Sequence, residues 1–356
     1  CLQRPSSTKI EKMVAATTVS LLTQITSANV TNSDPLTCSL FDGDQSKCNI
    51  VIAIKRTFAA ISLVGCIFMI SVIWLFKKYL VFSQRLILYL SIAAFFDSIA
   101  YIMGDLHPDG ALCDFQAWSL TYFDWSVLLW VCCITFNLYM SAVKMIRTDR
   151  FEWAYHIVSW GVPFGLSMLP FIGNHYGPAG MWCWIKDDWK WRFGLWYCPL
   201  FLIIALLFFV YTYIFFMINK KVRTWEGLYD PDIERDKQLL KEDVKPLRFY
   251  PFVYLAVSIF PLINRIQNAV SVEPVFALVL LHAMSATLQG AFNAILFGLD
   301  KETRSRLTIA NIKVAMVARY RDESLIREYP VVPESGDPNG DSVHSEIASV
   351  SEGITN

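Results

Sequence analysis

Two aspartates stand inside long apolar runs and are the costliest residues in the chain. Asp97 interrupts the run Leu86–Met103, and Asp124 interrupts Phe115–Ala142. Counted along a helix from Arg85, Asp97 lies about 18 Å deep, and Asp124 lies about 16 Å in from Cys113. Both depths fall near the middle of a hydrocarbon core roughly 30 Å thick. A carboxylate there costs at least about 2.5 kcal/mol, so it faces a bundle interior rather than lipid. If the two meet, they cannot both ionise cheaply. Either one keeps a proton or a cation such as sodium sits between them. The plainer role is a protonated pair acting as interhelical hydrogen-bond glue. A third run, Val275–Leu299, carries His282, Ser285, Gln289 and Asn293 at helical spacing, which puts them on one face of a straight helix. His282 is near one end of that run and within reach of a ligand pocket. Ser285, Gln289 and Asn293 extend inward as a polar network toward Asp97, and Gly290 permits close helix approach.

The elements that must position these residues are membrane helices. Of the 356 residues, 54% are hydrophobic and 17% charged, below the roughly 25% charged residues of soluble domains. Lys+Arg and Asp+Glu are 31 each, a formal net charge of +0, which argues against a nucleic-acid binder. The apolar surplus is clustered in seven runs: Thr57–Phe76, Leu86–Met103, Phe115–Ala142, Trp153–Ile172, Phe193–Ile218, Phe249–Ile263 and Val275–Leu299. The expected fold is therefore an all-α membrane protein, a seven-transmembrane helix bundle over 51–299. Residues 1–50 form an N-terminal segment, 300–321 an amphipathic helix on the inner leaflet, and 322–356 a disordered tail. The chain opens on Cys1 rather than Met, the mark of an incomplete or processed start.

Orientation follows from Lys and Arg in the short loops. One side carries Lys77, Lys78, Arg85, Lys144, Arg147, Arg150 and the cluster from Lys220 to Arg248, and the other only Lys186, Lys190, Arg192 and Arg265. The first side is then cytoplasmic, the N-terminus outside and the C-terminus inside. The sequon Asn29-Val30-Thr31 fits that direction as a glycosylation site, as do Trp182, Trp184, Trp189 and Trp191 at the outer interface. Cys113 and Cys183 both fall on the oxidising side, where a disulfide would tie the loop after span four across the bundle mouth. Cys38 and Cys48 are spaced for a second, local bridge, which spacing alone does not decide. Trp184 and Arg265 border the pocket mouth, Arg265 either facing it or snorkelling to the interface. With Asp124 and His282 they are the ligand-pocket candidates.

No catalytic motif occurs, neither H-E-x-x-H, G-x-S-x-G nor a phosphate loop, so no enzyme is expected. No cofactor is implied beyond a sodium ion between Asp97 and Asp124. A light-driven pump needs a Schiff-base Lys in the seventh run, which holds none. An ion or solute transporter using Asp97 and Asp124 is the alternative from another class, and a metal-dependent membrane hydrolase using His282 and the two acids is a third.

The combined pattern resembles G protein-coupled receptors. Arg147-Thr148-Asp149-Arg150 followed by Trp153 to Pro163, then Trp182-Cys183-Trp184-Ile185 and Leu281-His282 with Gln289-Gly290 and Asn293, narrow it. These stretches are similar to the animal orphan receptors of the G-protein coupled receptor 157 type and, more distantly, to the slime-mould cyclic-AMP receptors and the secretin group. The third run ends Asn137-Leu138-Tyr139-Met140-Ser141 without D-R-Y, and the seventh lacks N-P-x-x-Y, so rhodopsin-like switches are not implied. The nucleotide of the slime-mould receptors is not implied either, because outer-face basic residues are few. The resemblance implies a plasma-membrane receptor passing an extracellular signal to a heterotrimeric G protein. Its contacts would include Arg147, Arg150, Lys220, Lys221, Arg223, Lys245 and Arg248. Ser335, Ser342, Ser345, Ser349 and Ser351 offer phosphorylation sites for an arrestin-like partner.

Overall fold

The computed structural model describes residues 41, 44–104, 107–179, 181–186, 188–224, 231–240, 244–270 and 273–320. Asn29, Cys38 and the tail serines lie outside the described residues. Within them the chain is an all-helical membrane protein carrying one two-stranded hairpin. Helix α1 spans Gln45–Leu75, opened by Asp44, whose carboxylate accepts from the Ser46 and Lys47 amides. Its hydrogen bond to Lys47 holds the Asp44 carboxyl below the usual range. Helices α2 (Phe82–Ile102) and α3 (Ala111–Tyr139) follow, α3 running on through a π-helical turn at Met140–Lys144. Helix α5 covers Trp189–Thr224. These four are long and apolar enough to cross a membrane; a fifth span results if Phe276–Thr287 (α8) and Gln289–Leu299 (α9), bent by 47° at Leu288, are counted together.

The other two expected spans do not form single long apolar helices, for local reasons. The fourth, α4, is wound in pieces: Glu152–His156, a π-turn at Ile157–Gly161, Val162–Met168 and a 3-10 turn at Leu169–Phe171. Pro163 and Pro170 each remove an amide donor and break the ladder. Another π-turn, Arg192–Tyr197, precedes Pro199 in α5. Helix α7 spans Tyr250–Val270 with Pro261 inside it, and its second half is diluted by Asn264, Arg265, Gln267 and Asn268. Helix α6 (Pro231–Leu239) is short and polar.

Helix α3 is the centre of the packing. Trp130 is fully buried, its ring 5.1 Å from Tyr89, 5.2 Å from His156 and 5.9 Å from Trp160. Thus Trp160 and Pro163 of the W-G-x-P stretch serve helix contact and helix shape. On the far side of the bundle α5 exposes Leu202, Leu206, Phe208 and Phe209, the surface expected where lipid is the solvent. Helices α1 and α9 touch through glycine: a Cβ on Gly290 would run into Ser62 and Cys66, and one on Gly65 would lie 2.9 Å from the Ala294 Cβ. The expected close approach at Gly290 is present.

At the end of the bundle away from Cys113, Arg85 grips Glu152 with two hydrogen bonds of 2.8 Å, and Tyr89 Oη donates a third. Asn137 Oδ1 accepts from Thr148 Oγ1 (2.6 Å), which accepts from Tyr155 Oη (2.8 Å). Lys78 Nζ donates to Thr303 Oγ1 at 2.7 Å. The expected single helix over 300–321 is two, α10 (Lys301–Arg306) capped by Asp300, and α11 (Ile309–Tyr320), parted at Leu307 and Thr308. Arg319 of α11 lies over the Trp74 ring at 4.6 Å and reaches Tyr79 Oη at 3.2 Å.

Candidate functional site

The hairpin pairs β1 (Tyr176–Pro178) with β2 (Cys183–Ile185), Gly177 opposite Trp184. The Cys113–Cys183 disulfide, with Cα atoms 5.2 Å apart, fastens it to the start of α3. Tyr176 Oη donates to the Ser167 carbonyl at 2.8 Å and ties the other strand to α4. Cys48 is also disulfide-bonded, and its partner lies outside the described residues.

Beneath the hairpin is a cavity of about 130 Å³ whose charged and polar lining includes Lys55, Asp97, Asp124, Arg265, His282 and Gln289. Asp97 and Asp124 both line it, close enough to interact electrostatically, and Tyr101 Oη donates to Asp124 Oδ1 at 3.0 Å. Two buried carboxyl groups close together do not both ionise cheaply. Arg265 donates to Tyr197 Oη at 3.3 Å and stacks 5.2 Å from the Trp184 ring and 5.5 Å from Tyr197. It therefore faces the cavity rather than snorkelling outward. His282 Nδ1 pairs with Asn264 Nδ2 at 2.9 Å. An aromatic wall completes the chamber, Trp196 lying 5.3 Å from Trp125 and 5.6 Å from Trp184. Asp97 Oδ1 and Gln289 Oε1 are buried with no hydrogen-bond partner among the described residues, which marks a place for water, an ion or a ligand.

Of the residues singled out in the sequence, Asp97, Asp124, Trp184, Arg265, His282 and Gln289 meet here. The four polar residues of the seventh run do not share one face: His282 and Gln289, on either side of the bend at Leu288, line the cavity, whereas Ser285 and Asn293 do not. Ser285 bonds back to the His282 carbonyl at 3.3 Å and borders a separate crevice with Phe252 and Phe292. Asn293 meets Gln289 at 3.5 Å rather than Asp97. Two of the four tryptophans expected at an interface are elsewhere: Trp184 is 6% exposed, whereas Trp189 is 70% exposed. Trp182 lies under the Lys55 ammonium at 4.4 Å.

Lys55, in the cavity lining, and Asn264, paired with His282, are residues of the candidate site that sequence reasoning missed. The first apolar run, counted from Thr57, leaves Lys55 just outside it. The apolar stretch Ile50–Ile54 just before it was the available signal that the helix begins earlier. At the opposite end, Arg147, Arg150, Lys220 and Arg223 are exposed, as are Lys245 and Arg248. Lys221 Nζ donates to the Val143 carbonyl at 3.0 Å. Lys245 and Arg248 border a second cavity of about 330 Å³, shared with Tyr250 and Asp300. No group of three His, Cys, Asp or Glu among the described residues is arranged to hold a metal ion.

Comparison with known proteins agrees with this architecture. The slime mold cyclic AMP receptor family profile matches residues 43–319. "G-protein coupled receptor 1" of Arabidopsis thaliana is 29% identical over 270 residues, 74% of this chain and 81% of that protein. "Cyclic AMP receptor-like protein A" of Dictyostelium discoideum is 27% identical over 245 residues, 68% of this chain and 62% of that protein. Human "G-protein coupled receptor 157" is 29% identical over 249 residues, 63% and 73% of the two chains. With a helical membrane bundle, a fastened hairpin and a match over 43–319, the chain belongs to the slime mold cyclic AMP receptor family of G protein-coupled receptors.

Proposed function

We propose that the chain is a seven-span plasma-membrane receptor, N-terminus outside, which binds a small extracellular ligand in the Asp124–Arg265–His282 cavity and signals to a heterotrimeric G protein. The cavity carries this reading: opposed charges, aromatic walls and unpaired buried acceptors converge under a disulfide-fastened hairpin. That is the chemistry of a recognition site. Ligand binding favours one of two bundle arrangements and shifts their populations. Pro261 in α7 and the bend at Leu288 are the deformable points between the cavity and the far end. There Arg147, Arg150, Lys220, Lys221, Arg223, Lys245 and Arg248 form the G-protein surface. The tail serines recruit an arrestin-like partner once phosphorylated. The names of several relatives carry cyclic AMP, a monoanion, and Lys55 and Arg265 supply positive charge, so cyclic AMP belongs in the first ligand panel.

The test is G-protein dissociation in cells expressing the chain, with and without replacement of residues 220–248, together with glycosylation mapping at Asn29. A response lost on replacement supports the reading. No response with any G protein, joined to ion flux that depends on Asp97 and Asp124, establishes the transporter instead.

A further inference from the structure

The cavity of about 330 Å³ at the end of the bundle away from the hairpin lies between the start of α2, the start of α7 and the junction of α9 with α10. Tyr250 and Gln84 line it. Tyr250 is 2% exposed, and both Tyr250 Oη and Gln84 Oε1 are buried without a hydrogen-bond partner among the described residues. A buried donor and a buried acceptor left open at one cavity call for an occupant that completes both.

Three cations border the same cavity, Lys245, Arg248 and Lys301, and all three side chains are exposed at its rim. None of the three is held by an ion pair among the described residues. The acid of the lining, Asp300, turns Oδ2 to the Thr303 amide and hydroxyl, both at 3.1 Å, as the cap of α10. Lys78 is engaged by Thr303 and is not needed in the count.

This donor set fits a phosphorylated polyol. Phosphate oxygens accept from the ammonium groups, the guanidinium and the phenol, and a polyol hydroxyl donates to Gln84 Oε1. A simple carboxylate carries two oxygens and no hydroxyl, and leaves the amide oxygen unanswered. The rim is apolar on one side: Phe249 is 42% and Leu299 64% exposed. Phe249 also borders the apolar groove between α5 and α7, so the cavity opens onto surface that lipid chains cover.

We propose that this cavity holds the headgroup of an anionic lipid, a polyol bearing phosphomonoesters, with its chains lying on Phe249 and Leu299. Basic pockets at the inner ends of membrane helices take such headgroups. The occupant bridges the Lys245–Arg248 segment to Lys301 and so restrains the inner end of α7, the helix that carries Pro261. Assignment to the inner leaflet rests on the orientation proposed above; the binding chemistry does not.

The experiment uses the full chain in detergent micelles and a fluorescent phosphatidylinositol bisphosphate as probe, read by anisotropy. Unlabelled phosphatidylinositol bisphosphate should compete. Phosphatidylserine, and phosphatidylinositol without the monoesters, should compete at least about tenfold less well. Inositol trisphosphate separates the sources: weaker competition than the lipid supports a membrane occupant, and equal competition overturns it. Arg248→Gln and Lys301→Gln should each weaken binding about tenfold, the loss of one charge-assisted hydrogen bond. Both side chains are exposed, so the variants fold. Tyr250→Phe should leave the melting temperature of the empty protein unchanged, because its hydroxyl has no partner to lose, yet weaken binding about threefold. Lys220→Gln combined with Arg223→Gln removes two charges outside the cavity and should leave binding intact. Equal weakening in that control, unchanged binding in Arg248→Gln and Lys301→Gln, or equal competition by phosphatidylinositol overturns the proposal. Specific binding without any G-protein response leaves the site standing and removes the receptor reading; a G-protein response without specific binding does the reverse.

Discussion

Tyr101 Oη of α2 donates to Asp124 Oδ1 of α3 at 3.0 Å, and Asp97, one turn before Tyr101, lines the same cavity as Asp124. An amide in place of one of two neighbouring buried carboxyls keeps the shape and polarity and removes the need for a shared proton or cation. Asp97→Asn should therefore fold, and its G-protein activation should lose dependence on sodium concentration and on pH. Dose–response curves across both variables check this. Dependence equal to the unmodified chain would return the pair to plain interhelical glue.

Gly290 should not tolerate alanine. The added Cβ would meet the Ser62 carbonyl at 3.1 Å and press on the Ser62 hydroxyl and Cys66 sulfur. Overpacking of this kind costs about 1–3 kcal/mol. A lowered melting temperature in detergent is expected for Gly290→Ala, with partial recovery when Ser62→Ala is added. Absence of any loss would mean that α1 and α9 separate without penalty.

The Arg85–Glu152 pair joins α2 to α4 in a two-pronged bridge, its side chains 27% and 24% exposed. A double-mutant cycle with Arg85→Gln and Glu152→Gln should return a coupling of about 1 kcal/mol, at the upper end for partly exposed pairs. The coupling should shrink as salt rises. A coupling of zero at low salt would show that Tyr89 Oη, 2.8 Å from Glu152 Oε1, holds α4 unaided.

Removal of the Cys113–Cys183 bond should release β2 from α3. A disulfide of this kind contributes about 2–4 kcal/mol, so Cys183→Ser should lower both surface expression and melting temperature. Because Trp184 follows Cys183 and stacks on Arg265, ligand affinity should fall as well. Unchanged affinity in the folded fraction would place Trp184 outside the recognition chemistry.

Membrane class was legible from the chain alone, because backbone amides in lipid must be satisfied within helices, and that demand writes long apolar runs into the residues. The depth of Asp97 and Asp124 and the pairing of Cys113 with Cys183 followed from distance along a helix and from compartment. The cavity's membership did not follow. Periodicity treats the seventh run as one straight helix, whereas it is bent at Leu288, and of its polar residues His282 and Gln289 line the chamber while Ser285 borders a separate crevice. Lys55 joins them because α1 starts at Gln45, and Asn264 joins through His282. Helix bends and starting points are set by the neighbours a helix packs on, and those neighbours exist only once the bundle is assembled.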